Sequence, residues 1–250
     1  MTLVLVHGVP ETAAIWDETL AELGLPDDEV VRLSPPGFGA PVPTDFEPTS
    51  DSYRDWLVGE LEQLDGLGPI HLVGHDWGGG HAMRAVTVRP DLVRRFATDI
   101  AGTADPRYEW HDLAQVWQTP GDGEAFIEST AGTPVEDRAA MLVAAGMSES
   151  GARACAENGP EMGPCILGLY RSARQPKMTL WGEQFAELDE RPPTLVIAPT
   201  DDHFTGGVEM SRRVAEKWDA SIVELEGLGH WWMMQDPARG AEVLSAFLAS

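Results

Sequence analysis

Residues 69–90, PIHLVGHDWGGGHAMRAVTVRP, constrain the fold more than any other stretch. An apolar run reads as a buried strand, a glycine-rich turn follows, and a helical pattern continues until Pro90 ends it. A strand that turns this tightly into a helix needs small neighbours, because the backbone folds back on itself; Gly74, Gly78 and Gly79 supply the room. The apex residue is Asp76, at the start of the helix, where the dipole favours its ionised form. Taken alone, that aspartate is either an N-cap or a reactive carboxylate.

The surrounding pattern is an alternation. Strand-like runs occur at 2–6 (TLVLV), 29–33, 69–75, 93–100, 193–199 and 221–227, and helical spacing at 13–23, 50–64, 207–218 and 237–249. Thr12 is the expected N-cap of the first helix. Strand alternating with helix predicts an α/β fold with a mostly parallel sheet. Residues 102–190 break the alternation with helix-like segments and loops, so a helical cap between two strands is expected over the carboxyl edge of the sheet. The expected organisation is a core of 1–101 and 191–250 with a lid of 102–190.

Composition narrows the function. The chain of 250 residues carries 17 basic and 41 acidic side chains, a net charge of −24, which disfavours nucleic acid and anionic membranes as partners. No secretory signal precedes the first strand and no apolar run is long enough to span a bilayer, so a cytoplasmic protein is expected. Cys155 and Cys165 are expected to be free thiols, although their spacing alone leaves a disulfide open. The histidines lack metal-ligand spacing, and Gly8, Gly37 and Gly39 do not make a dinucleotide-binding motif, so no metal or cofactor is expected. Oligomeric state is open between monomer and homodimer.

Three further groups fall at the carboxyl ends of strands, where open α/β sheets bind ligands. His230 lies in GLGHWW, and Asp201 and Asp202 lie in APTDDHF. Nucleophile, acid and histidine therefore follow one another in the order of an elbow enzyme. The chain resembles the α/β-hydrolases with an aspartate nucleophile, the epoxide hydrolases, haloalkane dehalogenases and haloacetate dehalogenases. The resemblance is carried by VLVHGVPET as an HGxP segment, PPGFGAP as the turn after the next strand, GHDWGG as the elbow and the final histidine loop. That family has two strands before the HGxP strand; here the HGxP strand is the first, which implies an α/β-hydrolase sheet trimmed to about six strands.

A carboxylate nucleophile attacks sp3 carbon rather than an ester carbonyl, and leaves an alkyl ester of the enzyme. The resemblance implies Asp76 as nucleophile, His230 as the base that activates water, Asp202 as its orienting acid, and backbone N–H groups of Val9 and Trp77 as the oxyanion hole. Asp99 and Asp201 remain alternative acids. Opening an epoxide needs a proton donor to the ring oxygen, and the resemblance implies Tyr170, in LGLYRSA, with Tyr108 as its companion. A halide instead needs N–H donors; Trp77 is one, and Trp110, Trp117 or Trp181 would be the second. His7, Trp110, Trp181, Phe204 and Trp231 complete the expected substrate-facing set for a small apolar organic substrate. Epoxide hydrolysis is the leading reading and dehalogenation the alternative; esterase or lactonase chemistry and a non-catalytic binding protein rank below them.

Overall fold

The computed structural model describes residues 1–249. Six strands, β1 (Thr2–Val6), β2 (Val30–Leu33), β3 (Ile70–Gly74), β4 (Arg95–Thr98), β5 (Thr194–Pro199) and β6 (Ser221–Leu225), pair in parallel in the order β2-β1-β3-β4-β5-β6. Strands covered on both faces read as continuous apolar runs, and β1 and β3 are buried at every position. The edge strands differ: β2 and β6 are only partly buried and carry Arg32 and Glu224.

The two-residue period of β1 divides the core. Leu3 and Leu5 face one layer with Trp16, Trp232, Leu244 and Phe247, where α1 (Asp17–Leu23) packs on α12 (Pro237–Ala249). Val4 and Val6 face the other layer with Tyr53, Leu57, Met83 and Val86, from α2 (Ser50–Leu64) and α3 (Trp77–Val88). The helix expected over 13–23 is a 3-10 turn at Ala13–Trp16 followed by α1; the Thr12 side chain caps the turn by accepting from the Ala14 N–H. Thr49 caps α2 in the same way through the Ser52 N–H.

Six helices lie between β4 and β5: α4 (Asp112–Gln118), α5 (Asp122–Thr130), α6 (Val135–Ala144), α7 (Glu149–Ala156), α8 (Met162–Ser172) and α9 (Lys177–Ala186). No strand interrupts them. α8 docks on the start of α2, where the Ser50 N–H donates to Ser172 Oγ at 2.8 Å. Two helices complete the core, α10 (Gly207–Lys217) between β5 and β6 and the single turn α11 (Trp232–Gln235) before α12. Cys155 and Cys165 are both buried and unbridged. Among the described residues no helix is long and apolar enough to cross a membrane.

The turn between β3 and α3 is closely packed against backbone. Asp76 has φ 48° and ψ −129°, a conformation that side chains rarely adopt. A Cβ on Gly78 would lie 2.2 Å from the Val6 carbonyl oxygen, and one on Gly74 would lie 2.5 Å from Gly79 Cα. Both obstacles are backbone, which cannot rotate aside. Gly78→Ala is expected to destabilise the fold by about 3 kcal/mol or more. Gly59→Ala, in an open position of α2, is expected to stabilise it by about 0.5–1 kcal/mol. Urea unfolding midpoints of the two variants check the pair.

Candidate active site

The strained turn delivers the Asp76 carboxyl into a prepared pocket. Gly8 has no side chain there; a Cβ on it would lie 2.1 Å from Asp76 Oδ1. This close approach lets the next residue, Val9, donate its N–H to Oδ1 at 2.8 Å, and the Trp77 backbone N–H is a second donor to the carboxyl. Oδ2 is left to face His230 Nε2 at 3.7 Å. Burial dominates the titration of Asp76 and pushes its carboxyl up; Glu11 adds to the rise, while His230, His75 and the Trp77 N–H oppose it.

His230 and Asp202 stand as the sequence placed them, in the loops after β6 and β5. His230 Nδ1 is 2.9 Å from Asp202 Oδ2, so the proton sits on Nδ1 and the neutral ring presents Nε2 to Asp76. Asp202 accepts further from the Phe204 N–H at 2.8 Å and the Thr205 hydroxyl at 3.2 Å. Burial alone would lower His230, but the Asp202 charge and hydrogen bond outweigh it and hold the imidazole above its ordinary value. Burial likewise works against ionised Asp202, and the His230 pairing overcomes it, so Asp202 stays below the usual carboxylate range. The other two candidate acids are elsewhere: Asp201 is exposed, and Asp99 bonds a different histidine.

That second histidine is His75, and it marks what sequence reasoning missed. His75 is fully buried between two carboxylates, with Nδ1 2.5 Å from Asp99 Oδ2 and Nε2 2.9 Å from Glu11 Oε1. Burial opposes a charged ring, yet the two carboxylates raise His75 well above its ordinary value. Glu11 is held well below the usual range by His75 despite its own burial. The Gly8 N–H and the Trp231 indole donate to Glu11, and the Asp76 N–H and the Trp232 indole donate to Asp99. The only hints in the sequence are titratable residues beside the two conspicuous turns, Glu11 after the HGxP segment and His75 before Asp76. Ligand atoms of Glu11, His75 and His230 lie within 4.8 Å of one another, the one metal-like grouping among the described residues. Hydrogen bonding within the Glu11–His75–Asp99 bracket accounts for two of the three.

A cavity of about 350 Å³ opens above Asp76 and His230, walled by Leu113, Trp117, Ile127, Ile166, Tyr170 and Trp231 among others. A hollow of about 20 Å³ adjoins the same Asp76 and Tyr170 and takes in Trp77, Tyr108 and Trp110. Phe204 lines both, its ring centroid 5.1 Å from that of His230. His111 lines both as well; it was not expected, and its Nδ1 accepts the Ala114 N–H as the cap of α4. Tyr170 stands edge-on to Trp77 at 5.2 Å between centroids, and burial raises its hydroxyl well above the ordinary value, partly offset by a hydrogen bond from the Trp77 side chain. Tyr108 donates its hydroxyl to the Phe204 carbonyl at 2.8 Å.

Two expected substrate-facing residues lie outside these walls. His7 is fully buried beneath the HGxP turn, with Nε2 3.1 Å from Ser34 Oγ and Nδ1 3.0 Å from the Gly8 carbonyl oxygen, so it braces that loop. Trp181, on α9, packs under Arg84, whose guanidinium carbon is 4.1 Å from the ring centroid. A larger groove of about 650 Å³ lies at the opposite end of the strands, between the starts of β5 and β6 and α12, far from Asp76.

The bracketed His75 makes a stability expectation. Removing a cation between two buried carboxylates leaves both uncompensated, so His75→Leu is expected to cost about 3–5 kcal/mol. Arg212→Ala, which breaks an exposed pair with Glu224, is expected to leave the unfolding midpoint nearly unchanged. Urea unfolding at neutral pH compares the two.

Comparison with known proteins supports this geometry at the level of family. The Alpha/beta hydrolase family pattern matches residues 3–243. The (E)-2-((N-methylformamido)methylene)succinate hydrolase of Acinetobacter baylyi is 33% identical over 95 residues, 38% of this chain and 35% of that protein. Epoxide hydrolase 2 of Siraitia grosvenorii is 35% identical over 97 residues, 37% of this chain and 29% of that protein. These matches therefore span only about a third of the relatives' length. Among solved structures, E-2-(acetamidomethylene)succinate hydrolase superposes with a TM-score of 0.76 at 15% identity, covering 100% of this chain and 91% of that one. A loop variant of haloalkane dehalogenase from Bradyrhizobium elkanii reaches 0.72 at 18% identity, covering 99% and 90%. These likenesses show a shared fold. With the family pattern running along nearly the whole chain, over six parallel strands and a strained elbow, this protein belongs to the alpha/beta hydrolase family.

Proposed function

We propose that the protein hydrolyses an epoxide to a vicinal diol without a cofactor, through a transient ester on Asp76. The observation that carries this reading is the asymmetry of the Asp76 carboxyl, with Oδ1 in the N–H pocket at Val9 and Oδ2 free toward His230 and the cavity. Oδ2 attacks an epoxide carbon as the C–O bond of the ring breaks. The ring oxygen takes the proton of Tyr170, leaving a phenolate. A water then gives one proton to His230 Nε2 and adds as hydroxide to Cγ of the ester. Negative charge gathers on Oδ1, where the N–H groups of Val9 and Trp77 stabilise it; one such donor is worth about 3 kcal/mol. Collapse expels the second alkoxide, which takes the proton from His230. The Asp76 carboxyl proton returns to Tyr170. One oxygen of Asp76 is now the oxygen of water.

Tyr170 is the better donor of the two tyrosines. It lines both hollows beside Asp76, whereas the Tyr108 proton is directed at the Phe204 carbonyl. The helical block α4–α9 serves as the lid that carries Tyr170 and excludes water, and the apolar wall suits a small apolar substrate.

One observation favours dehalogenation as the second reading. Among the described residues the indole N–H groups of Trp110 and Trp117, both buried, have no partner. They and Trp77 would supply donors to a departing halide.

Single turnover in heavy-oxygen water, with mass analysis of the Asp76 peptide, is expected to find label in that side chain; label only in the product would remove the ester from the reaction. Tyr170→Phe is expected to lower epoxide opening by about 100-fold, the low end for general acid catalysis. Diol and halide assays on matched substrates separate the two readings.

The two half-reactions should respond differently to acid. Asp76 must be ionised to attack, and its carboxyl is raised to about 6, so ester formation should fall as pH drops through about 6. His230 must be neutral to act as base and is raised above 6.5, so ester hydrolysis should fall at higher pH than ester formation. Stopped-flow alkylation and steady-state turnover, measured across pH 5 to 8, are expected to show two separated acid limbs.

A further inference from the structure

α6 turns one face to the cavity, and the residues on it are Arg138, Met141, Leu142 and Ala145, at spacing i, i+3, i+4 and i+7. Three of them are apolar, as a cavity wall requires. The fourth is a guanidinium, where another apolar side chain would complete the stripe.

Among the described residues its neighbours offer that charge carbonyl oxygens but no carboxylate. Nε and Nη2 donate to the Ala156 carbonyl at 3.0 and 2.5 Å, and Nη1 donates to the Thr133 carbonyl at 3.2 Å. These bonds cap the end of α7 and hold the guanidinium plane still. They are all to neutral oxygens, and no carboxylate pairs with Arg138 among the described residues. In this chain of net charge −24 other arginines do find one: Arg84, Arg89, Arg171, Arg212 and Arg213 each pair with an aspartate or glutamate. A guanidinium has five N–H groups, so the three carbonyl bonds do not exhaust it. Of the residues lining the cavity, only Asp76 is an aspartate or glutamate and only Arg138 a lysine or arginine. Asp76 belongs to the floor at the sheet edge, and Arg138 to the helical wall.

We propose that Arg138 is an anion subsite and that the substrate is an amphiphile, with an apolar body and a carboxylate apart from the carbon that Asp76 attacks. A planar carboxylate matches a fixed guanidinium better than a point charge does, and a charge-assisted bond in a mostly apolar cavity is strong. A second carboxylate close to Asp76 would be repelled, so a cation set off on the wall serves such a substrate. The cavity volume of about 350 Å³ equals roughly a dozen waters, enough for a medium-length chain. The inference rests on the Asp76 ester reading for the chemistry at the other end of the substrate, but not for binding.

Calorimetric titration of the whole protein with octanoate and with 1-octanol, matched in chain length, tests it without turnover. Wild type is expected to bind octanoate on the order of 10-fold more tightly than the alcohol. Added sodium chloride should weaken octanoate and leave the alcohol alone. Arg138→Met should abolish the difference while retaining the alcohol, and Arg138→Lys should keep part of it. Equal affinities in wild type, or no binding of octanoate, overturn the proposal. So does an Arg138→Met protein that loses both ligands equally, because Arg138 would then only cap α7. Should that variant fail to fold in a thermal melt, the wild-type comparison and its salt dependence still decide. An octanoate preference without label at Asp76 would leave the subsite standing and remove the ester.

Discussion

The charged bracket Glu11–His75–Asp99 is the interaction on which the rest of the site depends. Each member belongs to a different segment: the loop after β1, the end of β3 and the end of β4. Through its carboxylates the bracket also holds the Gly8 and Asp76 N–H groups and the indoles of Trp231 and Trp232. The loop after β1, the turn at Asp76 and the loop that carries His230 are thus tied to one buried cluster. The cluster sets two carboxyl groups against one imidazole, all buried, and such a cluster persists only when nearly every lone pair has a donor. Its parts also act at a distance: His75, its ring centroid 4.6 Å from that of His230, disfavours a second positive ring, while Glu11 works against ionised Asp76.

Those two influences set the character of the carboxylate at the elbow. An aspartate in water is a poor nucleophile because its charge is well solvated. Here burial withdraws that solvation from Asp76, and Glu11 increases its basicity, while the Val9 and Trp77 N–H groups keep one oxygen anchored. The backbone strain at φ 48° is part of the same arrangement, because only that turn points the side chain at the space left by Gly8. The glycines at the elbow and the absent side chain at position 8 are therefore steric conditions for an electrostatic result.

Much of the fold was legible because each strand and core helix carries its own period and its own stop signal. β1 and α2 are instances; at 93–100 the strand is two residues shorter at each end, and at 13–23 the first four residues close as a 3-10 turn before α1, because hydrogen bonding rather than apolar pattern decides element ends. The site was legible only as far as chain order reaches. Asp99, Asp201 and Asp202 all follow the ends of β4 and β5, which are neighbours in the sheet, so sequence alone could not choose among them. The choice is made by partners from other segments, His230 for Asp202 and His75 with the Trp232 indole for Asp99. His7 and Trp181 were misplaced for a related reason. Side-chain direction depends on packing, against Ser34 for His7 and against Arg84 for Trp181.

Chemistry and selectivity are consequently built on parts of unequal firmness. α3 buries every residue from Trp77 to Val86, and the reactive groups at its start are fixed by backbone contacts that admit no extra atom. α6 buries none of its residues, yet it supplies one wall of the cavity. It is held by the Arg138 bonds to the end of α7, by packing against α7, and by Leu142 against the core layer of Leu3 and Leu5. A change on α6 can alter which molecule fits without disturbing Asp76, His230 or Asp202, because none of their hydrogen bonds passes through that helix. The same reaction can therefore be kept while its substrate changes, and the residue that links wall position to wall charge is the arginine on that helix.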